Sequence, residues 1–467
     1  MSLLKSPRNS EWIGCIDFGT ALSKVAFAKR KPRTQLTNND IVPLAIGLRA
    51  GVGVKNPYLL PSMVFINDQR ILFGEEAQTA ALRGAAGRQA FASPKQYLST
   101  DQPEALDEKL DPSVDPTGKY TPRELLALFF AHLLVQIGHT APRAGVPWPV
   151  PLRIARPAWE PKRAKIGELT LKTLVLQASA IADILGDRLS ALNGLTHGDA
   201  RSALSIVMAN DVLRDPRAFP GVFELSPQGS ASVLEATAVA AGSIRETGRR
   251  VIAIADIGGG TSDFGAFMTG LAGREVLAEI IGSSQILREA GDYLDMLLTS
   301  HILDRAGIDR EDPAGRGLTR RLRLRQRATK EALFAEGVVR VEIGDDTRTV
   351  TIEEFLADPR VQSFVQRLRS KFQETLEIAV ECAREHPQPD GQGTTPVEIL
   401  ITGGGHALPM VKELATTLPM QWPFLNTAPE LPTGLIDQDL QIVRRQLAVA
   451  IGGAIRDLPH ETDPVRL

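Results

Sequence analysis

The sequence is poor in cysteine. Cys15 and Cys382 are the only two cysteines in 467 residues. So few cysteines in so long a chain argue against a disulfide framework and favour a reducing compartment. We expect both side chains to be free thiols in the protein core.

Neither sign of charge is in excess. The chain has 53 Lys and Arg residues against 55 Asp and Glu residues, and its formal net charge is −2. This balance gives no general reason to expect binding to nucleic acid or to a membrane surface. The basic stretch 316–330 is a local exception, for which a solvated helix face and contact with a nucleic acid or an acidic partner remain open.

Long apolar runs are also lacking. Residues 1–12 contain no apolar signal-peptide core, and no uninterrupted run of about 18 apolar residues occurs in the sequence. We therefore expect a soluble, cytoplasmic protein. No repeat of solenoid length occurs, which argues against a repeat array.

The sequence has enough apolar residues for more than one core. With 43% hydrophobic residues in 467, the chain exceeds what one core usually holds, so two lobes are expected. A helix is predicted to begin with a capping box of Thr121 and Glu124 and to end at Gly138. A strand pair is predicted at 338–352 and a long helix at 359–385.

The most informative stretch is VIAIADIGGGTSDFGAF, residues 251–267. Its apolar start, 251–255, is typical of a buried strand, which puts Asp256 at the end of that strand. The three glycines that follow let backbone N–H groups approach a phosphate, and Thr261 adds a hydroxyl. Asp256 and Asp263 would repel a phosphate unless a cation such as Mg²⁺ lay between them. This pattern favours a metal nucleotide, and a plain β-hairpin with solvated acids is the alternative.

Two further glycine turns follow apolar strands. Residues 12–30 repeat the order of strand, acid, glycine and hydroxyl, with Asp17 as the acid and Thr20 as the hydroxyl. Residues 397–414 have a strand followed by a turn of three glycines that carries no acid, and 408–414 is expected to begin a helix. The start of such a helix offers N–H donors to a phosphate or a ribose.

These three turns, in this order, resemble the two phosphate motifs and the adenosine motif of the actin-like ATPases. Within that superfamily the chain is most similar to the nucleotide-binding domain of the seventy-kilodalton heat-shock chaperones, over residues 12–456. Shorter stretches at similar spacing support the resemblance: LPSMVFI (60–66), FGEEAQ (73–78), SPKQYL (93–98), ARPAW (155–159), LEATAVAAGSI (234–244) and AGDYLDMLL (290–298).

The resemblance implies an α/β protein with the actin-like ATPase fold. Each of two lobes would be built on a ribonuclease-H-like mixed sheet with flanking helices, and the nucleotide cleft would lie between the lobes. Lobe I would span 1–244 and be completed by 396–467, and lobe II would span 245–395. The tail after residue 456 is too short for the β-rich peptide-binding domain of the chaperones, so peptide clamping is not expected.

The implied cofactors are ATP or ADP and Mg²⁺. By resemblance, Asp17 and Asp256 would hold the hydrated metal, and Lys95 would offset charge on the transferred phosphoryl group. Glu235 would orient a metal-bound water, and Asp263 would accept a proton from the attacking water. The remaining contacts to nucleotide would come from Thr261, near the γ-phosphate, and from Gly19, Thr20, Ala21, Gly258, Gly259, Gly260, Gly291, Lys330, Gly403 and Gly404. The residues alone leave Lys95 open as a surface charge and Glu235 as a partner of a helix N-terminus.

The residues at the base end of the expected site, where adenine would bind, differ from those of the family. The chaperones hold adenine with a Glu, a Lys and a Ser on one helix and with an arginine after the third glycine turn. In the matching helix, 325–335, only Lys330 fits, while Arg327, Phe334 and Ala407 replace the other three residues. We therefore expect nucleotide to be held mainly by its phosphates and Mg²⁺, with weak discrimination between ATP and GTP and strong dependence on the metal.

Three functions are compatible with these features. The favoured one is a chaperone-like ATPase or nucleotide switch that slowly hydrolyses Mg-ATP and changes its affinity for an unidentified protein partner as its lobes close. A filament-forming actin-like ATPase is the first alternative, because the sequence does not reveal self-contacts and leaves the oligomeric state open. A small-molecule kinase of the same superfamily is the second, and the chaperone-like stretches between the motifs disfavour it.

Overall fold

The structure is a computed structural model of the chain. It describes residues 2–47, 56–83, 88–98, 103–156, 161–226, 229–243, 249–269, 277–343, 346–388, 393–416, 421–428 and 437–459. The predicted lobe boundary at 244–245, residues 157–159 of the ARPAW stretch and the tail after 459 lie outside these ranges.

The chain is an α/β protein with mixed and antiparallel sheets. Its strands, in chain order, are β1 Trp12–Phe18, β2 Leu22–Lys29, β3 Ile41–Pro43, β4 Leu60–Pro61, β5 Met63–Ile66, β6 Arg70–Phe73, β7 Phe91–Ala92, β8 Leu152–Arg156, β9 Leu195–Thr196, β10 Ser232–Leu234, β11 Val251–Ile257, β12 Ser262–Met268, β13 Ala278–Glu279, β14 Gln285–Leu287, β15 Val338–Ile343, β16 Asp346–Thr351, β17 Val397–Thr402 and β18 Phe424–Thr427. Its α-helices are α1 Gly74–Arg83, α2 Pro122–Thr140, α3 Pro161–Leu185, α4 His197–Met208, α5 Glu235–Ser243, α6 Gly291–Arg305, α7 Pro313–Glu336, α8 Ile352–Leu356, α9 Pro359–Glu385, α10 Pro409–Lys412 and α11 Gln438–Ala454. Two short 3₁₀ helices, Pro94–Leu98 and Gly404–Ala407, border the site described below.

Two of the sheets share one pairing pattern. The first has the order β10-β8-β1-β2-β3, in which β1 and β2 are antiparallel and β8 is parallel to both of its neighbours. The second has the order β18-β17-β11-β12-β13, in which β11 and β12 are antiparallel and β17 is parallel to both of its neighbours. Each sheet is therefore a hairpin extended by two parallel strands, and β1 in the first sheet corresponds to β11 in the second.

Both faces of these sheets are covered, which explains why every residue of β1 and β11 is buried. Helices α5 and α11 pack against each other and contribute to a core shared by strands of both sheets. Small residues allow this close packing, since a Cβ on Gly242 would lie 3.0 Å from the Gly452 Cα. On the other faces, α2 packs against the first sheet through Phe129 and Phe130 on Phe18, and α9 packs against the second sheet.

Two smaller sheets extend from this core. Strands β7, β5, β6 and β9 form a four-stranded sheet that carries α1, and β15 and β16 form a hairpin beside α7. Helix α7 also contacts α1, where Leu324 packs against a small apolar cluster of Phe65, Ala77 and Ala81. The two extensions therefore touch each other.

The predicted helix after Thr121 is present, with the predicted capping box to Glu124. Its predicted end is wrong, because α2 continues past Gly138 to Thr140. Gly138 makes room for packing instead, since a Cβ there would lie 3.2 Å from Nε1 of Trp148. The predicted strand pair and long helix are confirmed as β15, β16 and α9, and both cysteines are buried free thiols.

Two helical stretches among the described residues are long and apolar enough to cross a membrane by length and composition alone. They are Pro122–Ala144 and Ala164–Ser190, and 72% and 50% of their apolar windows are buried inside the protein. Core helices of soluble proteins have the same properties, so this finding is weak support for a membrane span.

Candidate functional site

A cavity of about 320 Å³ lies where β1, β11 and β17 end. Except for Gly260 and Asp263, every residue that the sequence predicts for the site lines this cavity. The lining also includes polar residues that the sequence did not assign to the site, among them Lys24, Asp292, Asp295, Glu331 and Gln446.

The acids of the first two motifs occupy equivalent positions in the two hairpins. Asp17 on β1 pairs across the hairpin with Lys24 on β2, and Asp256 on β11 pairs with Asp263 on β12. Because cross-strand partners on one face of a sheet lie close together, each pair places two charged side chains near the turn of its hairpin.

The turns of the two hairpins face each other at close range. A Cβ on Gly260 would lie 2.7 Å from the Thr20 hydroxyl oxygen, so glycine permits this approach. The opposing turns bring Thr20 next to the backbone of the second turn, where N–H groups and a hydroxyl can contact one phosphate group.

The third turn lies against the end of β11. Gly403 has a φ of +82°, and its N–H donates to the Arg445 carbonyl at 3.1 Å. The preceding Thr402 donates its hydroxyl to Asp256 Oδ1 at 2.9 Å. Thr402, which leads into the third glycine turn, therefore orients Asp256, the acid that precedes the second glycine turn.

Beside the first two glycine turns lie four buried carboxylates: Asp17, Glu235, Asp256 and Asp263 are 3–7% exposed. Burial raises the pKa of Asp256 to about 7, and the charges of Glu235 and Asp17 add to the increase. Burial also raises the pKa of Asp263 to about 8, together with Glu235, although the Thr261 hydroxyl donates to Asp263 at 2.7 Å and opposes the shift. Ionisation of Asp256 and Asp263 is therefore unfavourable here, and a bound cation would favour it.

Two lysines offset part of this charge. Lys95, on the 3₁₀ helix Pro94–Leu98, forms a buried ion pair with Glu235 at the start of α5. Burial opposes its charged form, but the carboxylates of Glu235 and Asp17 outweigh burial and raise the pKa of Lys95. Lys24 places its ammonium nitrogen 2.6 Å from Asp17 Oδ2.

Hydrogen bonds at the start of α6 connect the second glycine turn to the segment before Lys95. The N–H groups of Gly291 and Asp292 donate to the carbonyls of Gly258 and Gly259, at 3.3 and 2.7 Å. The Asp292 carboxylate also accepts the Ser93 hydroxyl at 2.8 Å, two residues before Lys95. The second glycine turn is therefore connected to the segment that carries the predicted catalytic lysine.

At the end of the cavity where the nucleotide base is expected, the cationic side chains of Lys330 and Arg327 are bound to other groups of the protein. Lys330 lies 2.9 Å from Asp295 Oδ1 and donates to the Gly291 carbonyl at 2.8 Å. Burial raises the pKa of Asp295 to about 6, which Lys330 partly opposes. Arg327 donates to Glu331 at 2.9 Å. The ammonium of Lys330, which the resemblance assigns to nucleotide, thus supports the α6 turn.

The donor set fits a hydrated Mg²⁺ that arrives with phosphates. Among the described residues, no group of three or more His, Cys, Asp or Glu side chains is placed to hold a metal ion. Asp17 and Asp256 nevertheless provide two buried carboxylates beside the phosphate turns. Mg²⁺ commonly uses one or two carboxylates, and waters and substrate phosphates complete its shell.

Lys24 is the functional candidate that sequence reasoning missed. A signal for it is present, because a hairpin whose strands are joined at Gly19–Ala21 pairs Asp17 with the residue seven positions later. Asp292 and Asp295 lie in the AGDYLDMLL stretch, but their partners come from distant segments that spacing does not reveal.

Comparison with known proteins gives no match, either to a protein-family model or to a curated protein.

Proposed function

We propose that this protein is a nucleotide switch with the actin-like ATPase fold. Mg-ATP would bind between two lobes and be hydrolysed slowly, and the change in lobe closure would alter the affinity for a protein partner. The observation that carries the proposal is the pair of equivalent hairpin turns that face each other at close range and line one cavity, each preceded by a buried acid.

The repeated sheet pattern supports the fold part of this proposal. Two hairpins, each extended by two parallel strands, match the expectation of two related lobes on mixed sheets. The close pairing of α5 with α11 fits a connection between such lobes. The third glycine turn, which follows β17, adds the position expected for an adenosine motif.

The chain's residues supply distinct parts of a phosphoryl-transfer site. Asp17 and Asp256 would hold Mg²⁺, which neutralises phosphate charge when bound. The Thr20 hydroxyl and the N–H groups of the glycine turns would donate to phosphate oxygens. Lys95, oriented by Glu235, would stabilise negative charge that develops on the transferred group.

Asp263 would accept the proton of the attacking water. It does not line the cavity itself, but it accepts a hydrogen bond from the Thr261 hydroxyl, which does. A cation near Asp256 would favour the ionised form of Asp263, because opposite charge stabilises a carboxylate. Proton acceptance would therefore be coupled to loading of the metal nucleotide.

Hydrolysis of ATP by four single variants tests this proposal. Replacement of Asp17, Lys95, Asp256 or Asp263 by Ala is expected to lower the rate roughly a hundredfold or more, since each removes an electrostatic or proton-accepting group. Lys172→Ala is the matched control, because Lys172 also forms an ion pair, at 2.7 Å to Glu168, but lies away from the cavity. Wild-type rates in all four site variants would refute the assignment.

A further inference from the structure

A second cavity, of about 260 Å³, lies beside α2 and α3. It shares no lining residue with the cavity at the glycine turns, and the proposed function does not use it. Its walls come from the second half of α2, from the end of α3, from the 3₁₀ turn Gly186–Ser190, and from Leu3 and Trp148. A ligand of this cavity would therefore be a different one from the nucleotide.

Small residues keep this cavity open between two packed helices. Helices α2 and α3 pack against each other, and Gly138 on α2 and Ala182 on α3 both line the cavity. Leu3 and Leu134, which are 3% and 4% exposed, add apolar walls. Such an interior suits the apolar body of a small ligand.

Trp148 offers a hydrogen-bond donor to this cavity. The residue is only 8% exposed, yet its indole N–H makes no hydrogen bond among the described residues. The indole nitrogen lies beside Gly138, where an added Cβ would be 3.2 Å away, and both residues line the cavity. Because a buried indole N–H usually has an acceptor, a ligand with an acceptor atom would supply the missing partner.

The charged groups at this cavity are acidic. Asp183 and Asp187 line it together with His139, and no described lysine or arginine does. Asp183 accepts the Ser2 hydroxyl, and Asp187 Oδ1 lies 2.9 Å from His139 Nε2. Each carboxylate keeps acceptor capacity, because its two oxygens have about four lone-pair sites. The lining therefore attracts a cation and repels an anion.

We propose that this cavity binds a small organic amine with a compact apolar body and an acceptor atom. The Asp187 side chain is 90% exposed, so the ammonium would pair with Asp183 and Asp187 at the rim, while the acceptor atom would receive the buried Trp148 N–H. The cavity is smaller than the roughly 300–1,000 Å³ of sites for drug-sized ligands, which limits the occupant to about one ring and a short chain.

NMR titration with tyramine, which has an ammonium, one ring and a phenol oxygen, tests the proposal. The readout is the indole N–H signal of Trp148, one of four tryptophans in the chain, which is identified by its absence from Trp148→Phe. We expect this signal to shift saturably, with a Kd on the order of 1 mM, as suits so small a ligand. The matched anion, para-hydroxyphenylacetate, is expected not to shift it. Absence of a saturable shift with tyramine would overturn the proposal.

Variants at the rim test the role of charge without disturbing the core. Asp183→Asn combined with Asp187→Asn is expected to weaken tyramine binding roughly three- to tenfold, because both ion pairs are lost at a solvent-exposed rim. Asp211→Asn is the matched control and should bind like wild type, because Asp211 is an 87% exposed acid that pairs with Arg214 outside the cavity. Unchanged affinity in the double variant, or equal binding of tyramine and para-hydroxyphenylacetate, would overturn the assignment of an amine.

Discussion

At the scale of single residues, Gly403 shows how conformation and space act together at the site. Its φ of +82° lies in the left-handed region that side chains with a Cβ rarely adopt. A Cβ at this position would also lie 2.3 Å from the Ile257 carbonyl oxygen, a backbone atom that cannot move aside easily. Glycine therefore lets the third turn lie directly on the end of β11.

Gly403→Ala is expected to lower the free energy of unfolding by about 1 to 3 kcal/mol, the usual range for backbone strain of this kind. Gly404→Ala is the matched control, because its φ is not in that region and no atom lies within 4 Å of its added Cβ. We expect the control to change stability by less than about 0.5 kcal/mol. Urea unfolding measures both, and equal effects of the two substitutions would contradict this explanation.

At the scale of elements, the start of α9 depends on a charged cap. The Asp358 carboxylate accepts the Arg360 N–H at 2.9 Å and an Arg360 guanidinium N–H at 2.6 Å, and His301 Nδ1 lies 3.0 Å away. The hydrogen bonds from Arg360, which outweigh the effect of burial, hold the pKa of Asp358 well below its usual range. The folded protein therefore favours the ionised carboxylate more than the unfolded chain does.

This difference predicts a loss of stability in acid. The contribution of Asp358 is complete above its unfolded pKa of about 3.9 and declines as the pH falls below that value. In Asp358→Asn, which keeps a capping side chain without the charge, unfolding free energy should fall less steeply between pH 5 and pH 3 than in wild type. Urea unfolding across this range checks the sign, and parallel pH profiles would disprove it.

Elements of this fold were predictable where a local pattern determines them. The run 251–255 is buried as predicted, within the longer β11, and the capping box at Thr121 begins α2. The predicted helix at 408–414 is instead the short α10, which begins at Pro409, followed by a 3₁₀ turn at Glu413–Ala415. Local patterns therefore indicate where an element begins better than how far it extends.

The acids and glycines of the site could be predicted from the sequence, because the order of strand, acid and glycine turn along the chain indicates a phosphate site. The partners of Lys24 and Lys330 were not, since they depend on strand register and on contacts between distant helices. Spacing predicts which side chains reach the cavity, but it does not predict which of them already bind protein groups there.

At the scale of the whole molecule, the parts that surround the cavity touch across it. Ser93 donates to Asp292 beside the phosphate turns, and Leu324 of α7 packs against the cluster of Phe65, Ala77 and Ala81. A change in the separation of these parts would alter the cavity and the outer contact together. Such coupling is what a nucleotide switch requires, because a ligand shifts an equilibrium only through unequal contacts with the two states.

The central claim is that this cavity binds nucleotide chiefly through its phosphates. We expect the base end to contribute little, because Lys330 is already bound to Asp295 and Gly291 and Ala407 cannot stack on a base, and each lost contact is worth about 0.5 to 1.5 kcal/mol. Calorimetric titration of the wild-type protein with ATP, GTP and ADP tests this claim most directly. We predict measurable binding of all three, with affinities for ATP and GTP within about tenfold of each other, equivalent to 1.4 kcal/mol. Strong preference for adenine nucleotides, or no binding of any of the three, would contradict it.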